Sequence, residues 1–506
     1  MSVSKSTYTG ALEHVPETPA AVPGILRQDV RGAIAVLCLA AADLAGFFSS
    51  FSLAVLVRLH LLPALSGMFP RGVPEQLFDY LWVMGLIGAI CFTYEGLYTR
   101  RFPFWRETKR VIKAATLAFF LVLGIVSLGK LSSEVSRTVL VLGYVISLFA
   151  LPLWRLAGKT ALLKLGLWDK PVLILGAGKT GELAASALLR EKLLGYRIAG
   201  FLDDDLAKKA GLQINGRRFK ILGGFRDAER VMAETGVRHL IVAAPGMPGA
   251  ALVKLVNRLQ RRAASLVVIP DLFGVPVMSA EADYFFDEQV LSFRLRNNLA
   301  SPWNMLAKRT FDLAAGLIIL LVSAPVLILI ALAIKLDSPG PVFFTHRRIG
   351  RGGKEFNCYK FRTMYLNNEQ ILKKHLEANP EAKRQWAKYA KLKDNDPRIT
   401  HIGRLLRKFS LDELPQIFNV LKGEMSLAGP RPYLPREIEK LHNHADSILL
   451  ARPGITGLWQ VSGRNEIDFE GRLQLDSWYV RNWSLWLDIT LLIRTVGVVF
   501  SRRGAY

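Results

Sequence analysis

Cysteine is scarce in this sequence, and its positions exclude two kinds of structural framework. Only Cys38, Cys91 and Cys358 occur among 506 residues, and they lie far apart along the chain. Such spacing provides neither a set of disulfides nor the paired Cys-x-x-Cys ligands of a structural zinc site. The chain is long enough to bury several apolar cores instead.

Motifs of two common catalytic classes are also missing. The chain has no Gly-x-x-x-x-Gly-Lys-Ser/Thr loop, which argues against a P-loop ATPase, and it has no His-Glu-x-x-His motif. Its eight histidines do not cluster in a ligand spacing. The closest pair, His442 and His444, would diverge on a helix.

Acidic residues are outnumbered by basic ones. The chain has 42 Asp and Glu against 66 Lys and Arg, a net charge of +24, and 51% of its residues are hydrophobic. This combination favours anionic lipid and phosphorylated substrates as partners, and no nucleic acid is expected. The first thirty residues are polar and show no signal-peptide pattern, so residues 1–30 are predicted to form a mobile tail.

Four apolar segments follow the tail, at about 33–57, 78–98, 112–129 and 137–156. Each is close to the ~20 residues that span a bilayer. Lys and Arg are concentrated between the second and third segments and after the fourth, and loops rich in these residues stay in the cytoplasm. The sequence therefore predicts four transmembrane helices at 31–158, with both chain ends in the cytoplasm.

The segment "KPVLILGAGKTGELAASALLREKLLGYRIAGFLDDD", residues 170–205, has the pattern of a dinucleotide-binding fold. A strand leads into Gly176, Gly178 and Gly181, a helix follows, and a second strand ends at Asp203. We expect a Rossmann-like cytoplasmic domain at 165–290. Two interpretations stay open: a bound nucleotide, or a scaffold of the same fold without a ligand. The Tyr-x-x-x-Lys pair of dehydrogenases and epimerases is missing from this domain.

A linker is predicted at 291–304, and an uncharged run from Leu313 to Ile334 follows it. Pro325 interrupts this run and removes one backbone donor, while Ser323 nearby can satisfy freed backbone groups. Basic residues flank both ends, which disfavours placing either end outside the cytoplasm. We therefore predict a re-entrant helix hairpin at 309–336; a straight span with a tolerated proline is the alternative.

An adjacent acid pair, Asp412 and Glu413, lies in the segment "KFSLDELPQIFNVLKGEMSLAGPRP". We expect a helix from about residue 410, capped by Ser410 or Asp412, with both acids in its first turn. Its apolar stripe would consist of Leu411, Leu414, Phe418 and Leu421. Taken alone, the pair reads as ordinary acids at a helix N-terminus, which carries partial positive charge.

The surrounding arginines favour a second interpretation. Arg431 is held between two prolines, and Arg452 and Arg464 lie in further turns rich in proline and glycine. Arginines on rigid loops suit bidentate recognition of phosphate. Beside them, one carboxylate can attack phosphorus and the other can hold Mg²⁺.

These segments together resemble the bacterial sugar transferase family, the monotopic phosphoglycosyl transferases. The matching stretches, in order over residues 305–506, are "SPGPVFF", "YKFRTM", "LRKFSLDELPQIFNVLKGEMSLAGPRP", "RPGITGLWQVSGRN" and "YVRNWSLWLDI". The four apolar segments and the Rossmann-like domain resemble the long members of the family. The resemblance thus covers nearly the whole chain.

The resemblance implies a membrane α/β protein with four transmembrane helices, a Rossmann-like (CoA-binding-like) domain and a monotopic catalytic domain at 305–506. The catalytic domain would contain the re-entrant hairpin and amphipathic interfacial helices, one of them at 485–500 with Trp478, Trp483 and Trp486 near the membrane boundary. The expected location is the bacterial inner membrane, with the active site on the cytoplasmic face. A homodimer is also expected.

The implied activity is transfer of a sugar-1-phosphate from a UDP-sugar to undecaprenyl phosphate, with release of UMP. This step begins assembly of O-antigen, capsule or exopolysaccharide. Galactose-1-phosphate is the expected group, and glucose-1-phosphate is the alternative. Two other classes stay open: a membrane-anchored nucleotide sensor or scaffold, and a sugar-nucleotide dehydratase or epimerase, against which the missing Tyr-x-x-x-Lys pair speaks.

Site residues are carried over by motif. Asp412 resembles the nucleophile that forms a covalent phosphosugar intermediate, and Glu413 resembles the Mg²⁺ ligand. Arg431 resembles the phosphate-binding arginine of the Gly-Pro-Arg-Pro turn. Further basic residues expected to bind substrate near the active site are Lys360, Arg362, Arg407, Arg452 and Arg464.

Overall fold

The computed structural model describes residues 23–66, 77–130, 135–205, 211–270, 281–285, 290–294, 298–389, 392, 396–463 and 467–501. Contacts divide the chain into two compact units, Met1–Asp271 and Leu272–Tyr506. Of the predicted N-terminal tail, residues 1–22 lie outside the described range, and residues 23–30 belong to the first helix.

The first unit begins with apolar helices, as predicted. They are α1 (Pro23–Leu56), α2 (Leu62–Leu65), α3 (Leu77–Tyr94), α4 (Phe104–Leu128) and α5 (Arg137–Lys164). A π-helical turn, Val57–Leu61, joins the first two. Among the described residues, the helices long and apolar enough to cross a membrane are Val30–Leu65, Phe104–Leu128, Arg137–Lys164 and, in the second unit, Pro302–Asp337. The second predicted segment forms α3, whose described apolar stretch, Trp82–Tyr94, is shorter.

Four buried charged side chains hold these helices together. Arg155 of α5 contacts Asp43 of α1 at 2.6 Å and Glu107 of α4 at 3.0 Å. Lys159, one turn further along α5, contacts Glu107 at 2.6 Å. A single unpaired charge is costly inside an apolar helical region, so the two cations and two carboxylates are stable there only as a group.

A five-stranded parallel sheet follows, which confirms the predicted Rossmann-type pattern. Its strands are β1 (Lys170–Leu175), β2 (Tyr196–Leu202), β5 (Ile221–Gly223), β6 (His239–Val242) and β7 (Ser265–Val268), in the order β5-β2-β1-β6-β7. The hairpin β3 (Leu212–Ile214) and β4 (Arg217–Phe219) is antiparallel. The helices are α6 (Lys179–Arg190), α7 (Ala228–Thr235) and α8 (Gly249–Gln260).

Helices cover both faces of the sheet, because alternate residues of the central strand point to opposite sides. Leu173 and Leu175 pack in a core with residues of α7 and α8. Val172 and Ile174 pack in a second core that contains Ala185 of α6. A strand buried on both faces explains why the β1 segment is continuously apolar in sequence.

The second unit combines one long helix with short strands and helices. Its elements before the acid pair are β8 (Glu281–Phe285), β9 (Val290–Arg294), α9 (Pro302–Asp337), β10 (Phe343–Ile349), β11 (Glu355–Phe361), α10 (Asn368–Ala378), α11 (Pro380–Tyr389) and α12 (His401–Lys408). After it come α13 (Gln416–Lys422), β12 (Ser426–Ala428), α14 (Ala445–Ile448), β13 (Gly454–Thr456), α15 (Leu458–Ser462), α16 (Phe469–Arg481) and α17 (Leu485–Ser501).

Helix α9 continues through Pro325 and packs on the rest of the unit with both of its ends. In its first half, Gly316 faces α13, and a methyl group added to this glycine would contact the side chains of Ile417 and Leu421. Near its end, Ile330 and Ile334 lie in a core with Phe361 and Leu406. The middle of the helix exposes its apolar side chains. The predicted hairpin is thus a single helix by hydrogen bonding, and its re-entrant path stays a prediction.

The last helix, α17, is packed more closely against the protein than the prediction for 485–500 implied. Asp488 and Leu491 are fully buried, and Asp488 accepts hydrogen bonds from Lys308, Tyr479 and Trp483. Trp483 was expected near the membrane boundary, but it lies in this core because its ring N–H binds the buried carboxylate. Location of the helix in a membrane interface stays a prediction.

Candidate active site

The acid pair lies on a short 3-10 turn, Leu411–Glu413, between α12 and α13. The prediction of a helix from about 410 is therefore wrong. Ser410 adopts a left-handed conformation with φ 56° and makes no side-chain cap, and α13 begins only at Gln416. The reason is Pro415: it lacks a backbone N–H and has a fixed φ, so it suits the residue that precedes a helix.

The predicted apolar stripe is also divided between two cores. Leu411 and Leu414 pack against the core that contains the end of α9, whereas Phe418 packs against the core that contains Ile417. Side chains from a tight turn and from a new helix do not share the regular spacing of one continuous helix. As a result, the turn with the acids is held on both sides.

Lys360 of β11 reaches the acid pair, as the motif resemblance implied. Its Nζ lies 2.7 Å from Oε1 of Glu413. The contact depends on Asn419 of α13, which is fully buried and forms two hydrogen bonds to the backbone of β11. Its side chain accepts from the N–H of Tyr359 at 3.0 Å and donates to the carbonyl of Asn357 at 2.8 Å. Asn419 thereby fixes the distance between the strand and the turn.

Arg431 is held in place by two separate chain segments. Strands β12 and β13 pair in parallel, so the Gly-Pro-Arg-Pro turn lies beside the Arg-Pro-Gly-Ile turn, with a hydrogen bond of 2.8 Å from the N–H of Gly454 to the carbonyl of Pro430. The carboxylate of Asp476 accepts from the backbone N–H of Arg431 at 3.0 Å and from the Tyr433 hydroxyl at 2.7 Å.

These elements enclose a cleft of about 150 Å³. Of the predicted site residues it contains Lys360, Glu413 and Arg431; Asp412 lies on the same turn as Glu413 but does not line the cleft. The side chain of Arg431 lies over the ring of Trp459, with 5.7 Å from guanidinium carbon to ring centroid. The other lining residues are Arg348, Cys358, Gln416, Pro432, Gly454, Ile455, Trp459 and Gln460.

Carboxylates and cations at and beside the cleft shift each other's pKa values. Burial, followed by the neighbouring Glu413, raises the pKa of the Asp412 carboxyl, although Lys360 and Arg407 oppose this shift. Burial acts to lower the pKa of Lys360, but the Glu413 and Asp412 carboxylates outweigh it and raise that pKa above its ordinary value. Asp412 in its ionised form is therefore a more basic carboxylate than a solvated one, beside a cation that stays charged.

Three predicted substrate-binding arginines do not line this cleft. Arg362 is buried and donates to the carbonyls of Ser338 and Pro339, at the end of α9. Arg407 donates through Nε to the Thr363 hydroxyl at 2.9 Å, and burial lowers its pKa, although nearby Asp412 opposes this shift. Arg452 has a pKa lowered by burial and by Arg309 and Arg351. Arg464 lies outside the described residues.

Several residues of the site were not found from the sequence. Arg348, Asn419 and Asp476 take part because of contacts between distant segments. Only Arg348 had a visible signal, its place in the basic segment before "YKFRTM". Its Nη1 donates to the carbonyl of Pro432 at 3.0 Å, which attaches β10 to the Arg431 turn.

The glycine loop of the first unit has the predicted strand, loop and helix setting. Gly176 has φ +109°, and a side chain at Gly181 would collide with the carbonyl of Gly176, so both must be glycine. Gly178 has open space around it. Asp203 Oδ2 accepts from the loop N–H of Ala177 at 2.6 Å, so the carboxylate already holds a group that could bind a phosphate. Nucleotide binding at this loop stays a prediction.

The apolar helices, and a cleft in which Glu413 lies beside the cations Lys360 and Arg431, define a membrane-associated protein with a site suited to phosphorylated ligands. The family model for bacterial sugar transferases matches residues 303–502, and the model for a CoA-binding domain matches residues 93–270. The chain belongs to the bacterial sugar transferase family, as its motifs indicated.

Relatives align with most of the chain. The sequence is 37% identical over 464 residues to the undecaprenyl-phosphate galactose phosphotransferase of Salmonella typhimurium, covering 90% of this chain and 95% of that protein. It is 36% identical over 483 residues to the UDP-galactose-lipid carrier transferase of Erwinia amylovora, covering 94% and 98%. The UDP-glucose:undecaprenyl-phosphate glucose-1-phosphate transferase of Escherichia coli is 33% identical over 340 residues, covering 64% and 68%.

Proposed function

We propose that this enzyme transfers galactose-1-phosphate from UDP-galactose to undecaprenyl phosphate, releases UMP and so begins assembly of a surface polysaccharide. One observation carries the proposal: the Asp412–Glu413 turn, Lys360 and the Arg431 turn, which come from three distant segments, meet at one cleft. The relatives named for galactose align with nearly their whole length.

The reaction we propose has two displacement steps. A carboxylate oxygen of Asp412 attacks the phosphorus that bears the sugar, and the bond from that phosphorus to the bridging oxygen breaks, so that UMP leaves. A phosphate oxygen of the lipid then attacks the same phosphorus, and the aspartyl–phosphorus bond breaks. Asp412 returns to its carboxylate form, and donor and lipid use one cleft in turn.

Lys360 and Arg431 would act on the phosphates. Both are held by the protein before substrate arrives, Lys360 through Asn419 and Glu413, and Arg431 through Asp476 and the paired turns. Cations that are already in position stabilise charge in a phosphoryl-transfer transition state without further reorganisation. The Arg431 guanidinium also offers the planar fork that suits phosphate.

We further propose that Mg²⁺ binds at Glu413, with Asp412 beside it. The donor set fits, because Mg²⁺ uses one or two carboxylates and completes its shell with water and substrate phosphate. Glu413 already contacts a cation, the Lys360 ammonium group. When bound, the ion would neutralise phosphate charge. The described residues contain no larger cluster of His, Cys, Asp or Glu, so the acid pair is the site to test.

We propose that α9 is re-entrant and brings the cleft to the cytoplasmic face of the bacterial inner membrane. Gly316 lies against Ile417, and Ile330 lies in the core against which Leu414 packs. A straight helix would separate Gly316 from Ile330 by about 21 Å, whereas Leu414 and Ile417 are within one turn. A bend near Pro325 reconciles these contacts.

Ser323 supports the same path. Its hydroxyl donates to the carbonyl of Ile319, four residues earlier, at 2.6 Å, and such a bond from a serine to its own helix often accompanies a bend. Interfacial placement of α17 and a homodimer stay predictions that follow from the family resemblance.

The function is tested with the full-length protein in nanodiscs that contain undecaprenyl phosphate. UMP release is measured with Mg²⁺ and either UDP-galactose or UDP-glucose. Asp412→Asn should abolish turnover, whereas Asp446→Asn, which makes the same change at an exposed acid, should keep it. Without lipid acceptor, wild type should carry one hexose phosphate on the peptide that contains residue 412. Full activity of Asp412→Asn would exclude it as the nucleophile, and faster turnover of UDP-glucose would reassign the sugar.

A further inference from the structure

A second large cavity lies in the first unit, far in sequence from the acid pair. Its volume is about 680 Å³. It is formed where the ends of α1 and α5 and the α3–α4 connection meet the sheet. We call it the basic crevice; its lining residues used below are Arg31, Arg100, Arg101, Lys170, Arg197, Arg238 and His239, with Asp169 and a helical wall that includes Ala35, Val36 and Leu167.

The basic crevice is on the opposite edge of the sheet from the glycine loop. Lys170 begins β1 and His239 begins β6, and Arg197 is the second residue of β2. The strands are parallel, so these residues all lie at their amino-terminal ends, whereas Gly176 follows the carboxyl end of β1. A nucleotide at the glycine loop would therefore not occupy this cavity.

Positive charge in the basic crevice is almost uncompensated. Six Lys or Arg side chains face one carboxylate, that of Asp169. In the part of the chain that the structure describes, Arg100, Lys170, Arg197 and Arg238 form no ion pairs. Crowding of like charges costs free energy that a bound anion would recover.

The titration behaviour of two lining groups agrees with this crowding. Burial and then Arg101 lower the pKa of Lys170 below its ordinary value. Burial lowers the pKa of His239 to about 4, and Lys170, Arg101 and Arg238 add to the effect. Their charged forms are thus disfavoured by cations on the opposite walls as well as by lost water.

Arg101 is a lining residue of the basic crevice whose side chain is held in a fixed position. Its Nη1 donates to the carbonyls of Trp168, Leu194 and Gly195 at 2.7 to 3.0 Å, and its guanidinium lies 4.2 Å from the centroid of the Trp168 ring. Arg101 precedes α4 and Trp168 follows α5, so the helical region and the sheet domain are joined at this point. The other cations are therefore held near each other on a fixed framework.

The helical wall indicates where the ligand comes from. Arg31 is the second residue of the apolar span Val30–Leu65, and Lys164, four residues before Trp168, ends the span of α5. These ends mark the level of the membrane surface, where lipid headgroups lie. Ala35, Val36 and Leu167 present apolar surface next to the cations, which suits a molecule with a charged head and an acyl chain.

We propose that the basic crevice binds a phosphate-bearing anion at the membrane surface, and that the headgroup of an anionic phospholipid is its source. A free phosphate offers the same charge without the acyl chains. The two sources therefore differ in whether binding requires the lipid tail, which the experiment separates.

The test uses delipidated full-length protein in detergent and follows the midpoint of thermal unfolding as ligand is added. The probes are dioctanoyl phosphatidylglycerol, dioctanoyl phosphatidylcholine and inorganic phosphate. The double variant Arg197→Gln/Arg238→Gln removes two lining cations. The matched control, Arg217→Gln/Arg261→Gln, removes two exposed cations of the same unit outside the crevice.

Phosphatidylglycerol should raise the midpoint at low salt, and phosphatidylcholine should not. The crevice variant should need roughly thirtyfold more phosphatidylglycerol for the same rise, while the control should match wild type. An equal rise with inorganic phosphate would assign the site to free phosphate instead of lipid. Equal responses to both lipids, or equal weakening in both variants, would overturn the proposal. Unliganded midpoints no lower than that of wild type show that the variants fold.

Discussion

The variant Asp476→Asn tests whether the buried carboxyl group that supports the Arg431 turn takes up a proton in the folded protein. Asp476 is fully buried, and burial raises its pKa to about 7 even though the Arg431 N–H and the Tyr433 hydroxyl act to lower it. Because the folded-state pKa lies above the ordinary value of 3.8, the native state binds the proton more tightly than the unfolded chain. The contribution of this proton to the free energy of unfolding is fully present below about pH 4 and is lost as pH rises through 7.

The magnitude follows from that difference. A rise from 3.8 to about 7 corresponds to at most about 4 kcal/mol. Asn has no charge, and its amide oxygen can accept from the same two donors. The free energy of unfolding of the variant should therefore not fall as pH rises through 7. Its amide nitrogen would take the place of Asp476 Oδ1, which has no partner in the described structure, and that cost does not depend on pH.

The assay is the midpoint of thermal unfolding of full-length protein in detergent, measured from pH 5 to pH 8. The midpoint of Asp476→Asn minus that of wild type should increase with pH, by about 5–10 °C over the range. Asp446→Asn, at an exposed acid, should parallel wild type. Parallel profiles for wild type and Asp476→Asn would show that the carboxyl group is ionised throughout and would refute the reasoning.

Three further variants test other contacts. Arg362→Gln removes charged hydrogen bonds to carbonyls at the end of α9 and should cost about 2–4 kcal/mol, seen as a lower unfolding midpoint; an unchanged midpoint would contradict this role. Lys308→Met leaves the Asp488 carboxylate buried without its cation and should lower the free energy of unfolding by about 3–5 kcal/mol. Adding Asp488→Asn should restore part of the unfolding midpoint, and no rescue would mean that the pair is not coupled. Gly181→Ala places a methyl group against the Gly176 carbonyl and should make the first unit sensitive to protease, whereas Gly178→Ala should be tolerated; equal resistance of both would refute the packing argument.

Features with a local cause were predictable. The apolar helices, the β1 strand and the glycine loop depend on the spacing of neighbouring residues, and their positions agree with the structure. The start of α13 also had a local cause, because Pro415 marks it, but the apolar spacing from Leu411 suggested a longer helix. The apolar spacing predicted a helix from about 410, whereas Pro415 indicated a later start, and the structure follows the proline.

Features that depend on contacts between distant segments were not predictable from spacing. Arg362 belongs to the "YKFRTM" motif and was expected to bind substrate, yet its guanidinium binds carbonyls 24 residues earlier. Asp476 supports a turn 45 residues away, and Asn419 binds a strand about 60 residues away. A single sequence marks such residues only as polar groups, since their partners are brought together by the tertiary fold.

The buried contact between Asp43 and Arg155 has a consequence for how the chain enters the membrane. The two residues are 112 positions apart. At about 5–20 residues per second, Arg155 is synthesised roughly 6–20 s after Asp43. During that interval α1 carries a carboxylate whose cation does not yet exist. Stable integration of the first helix therefore has to await the last one, and a chain truncated before α5 is expected to be degraded instead of accumulating in the bilayer.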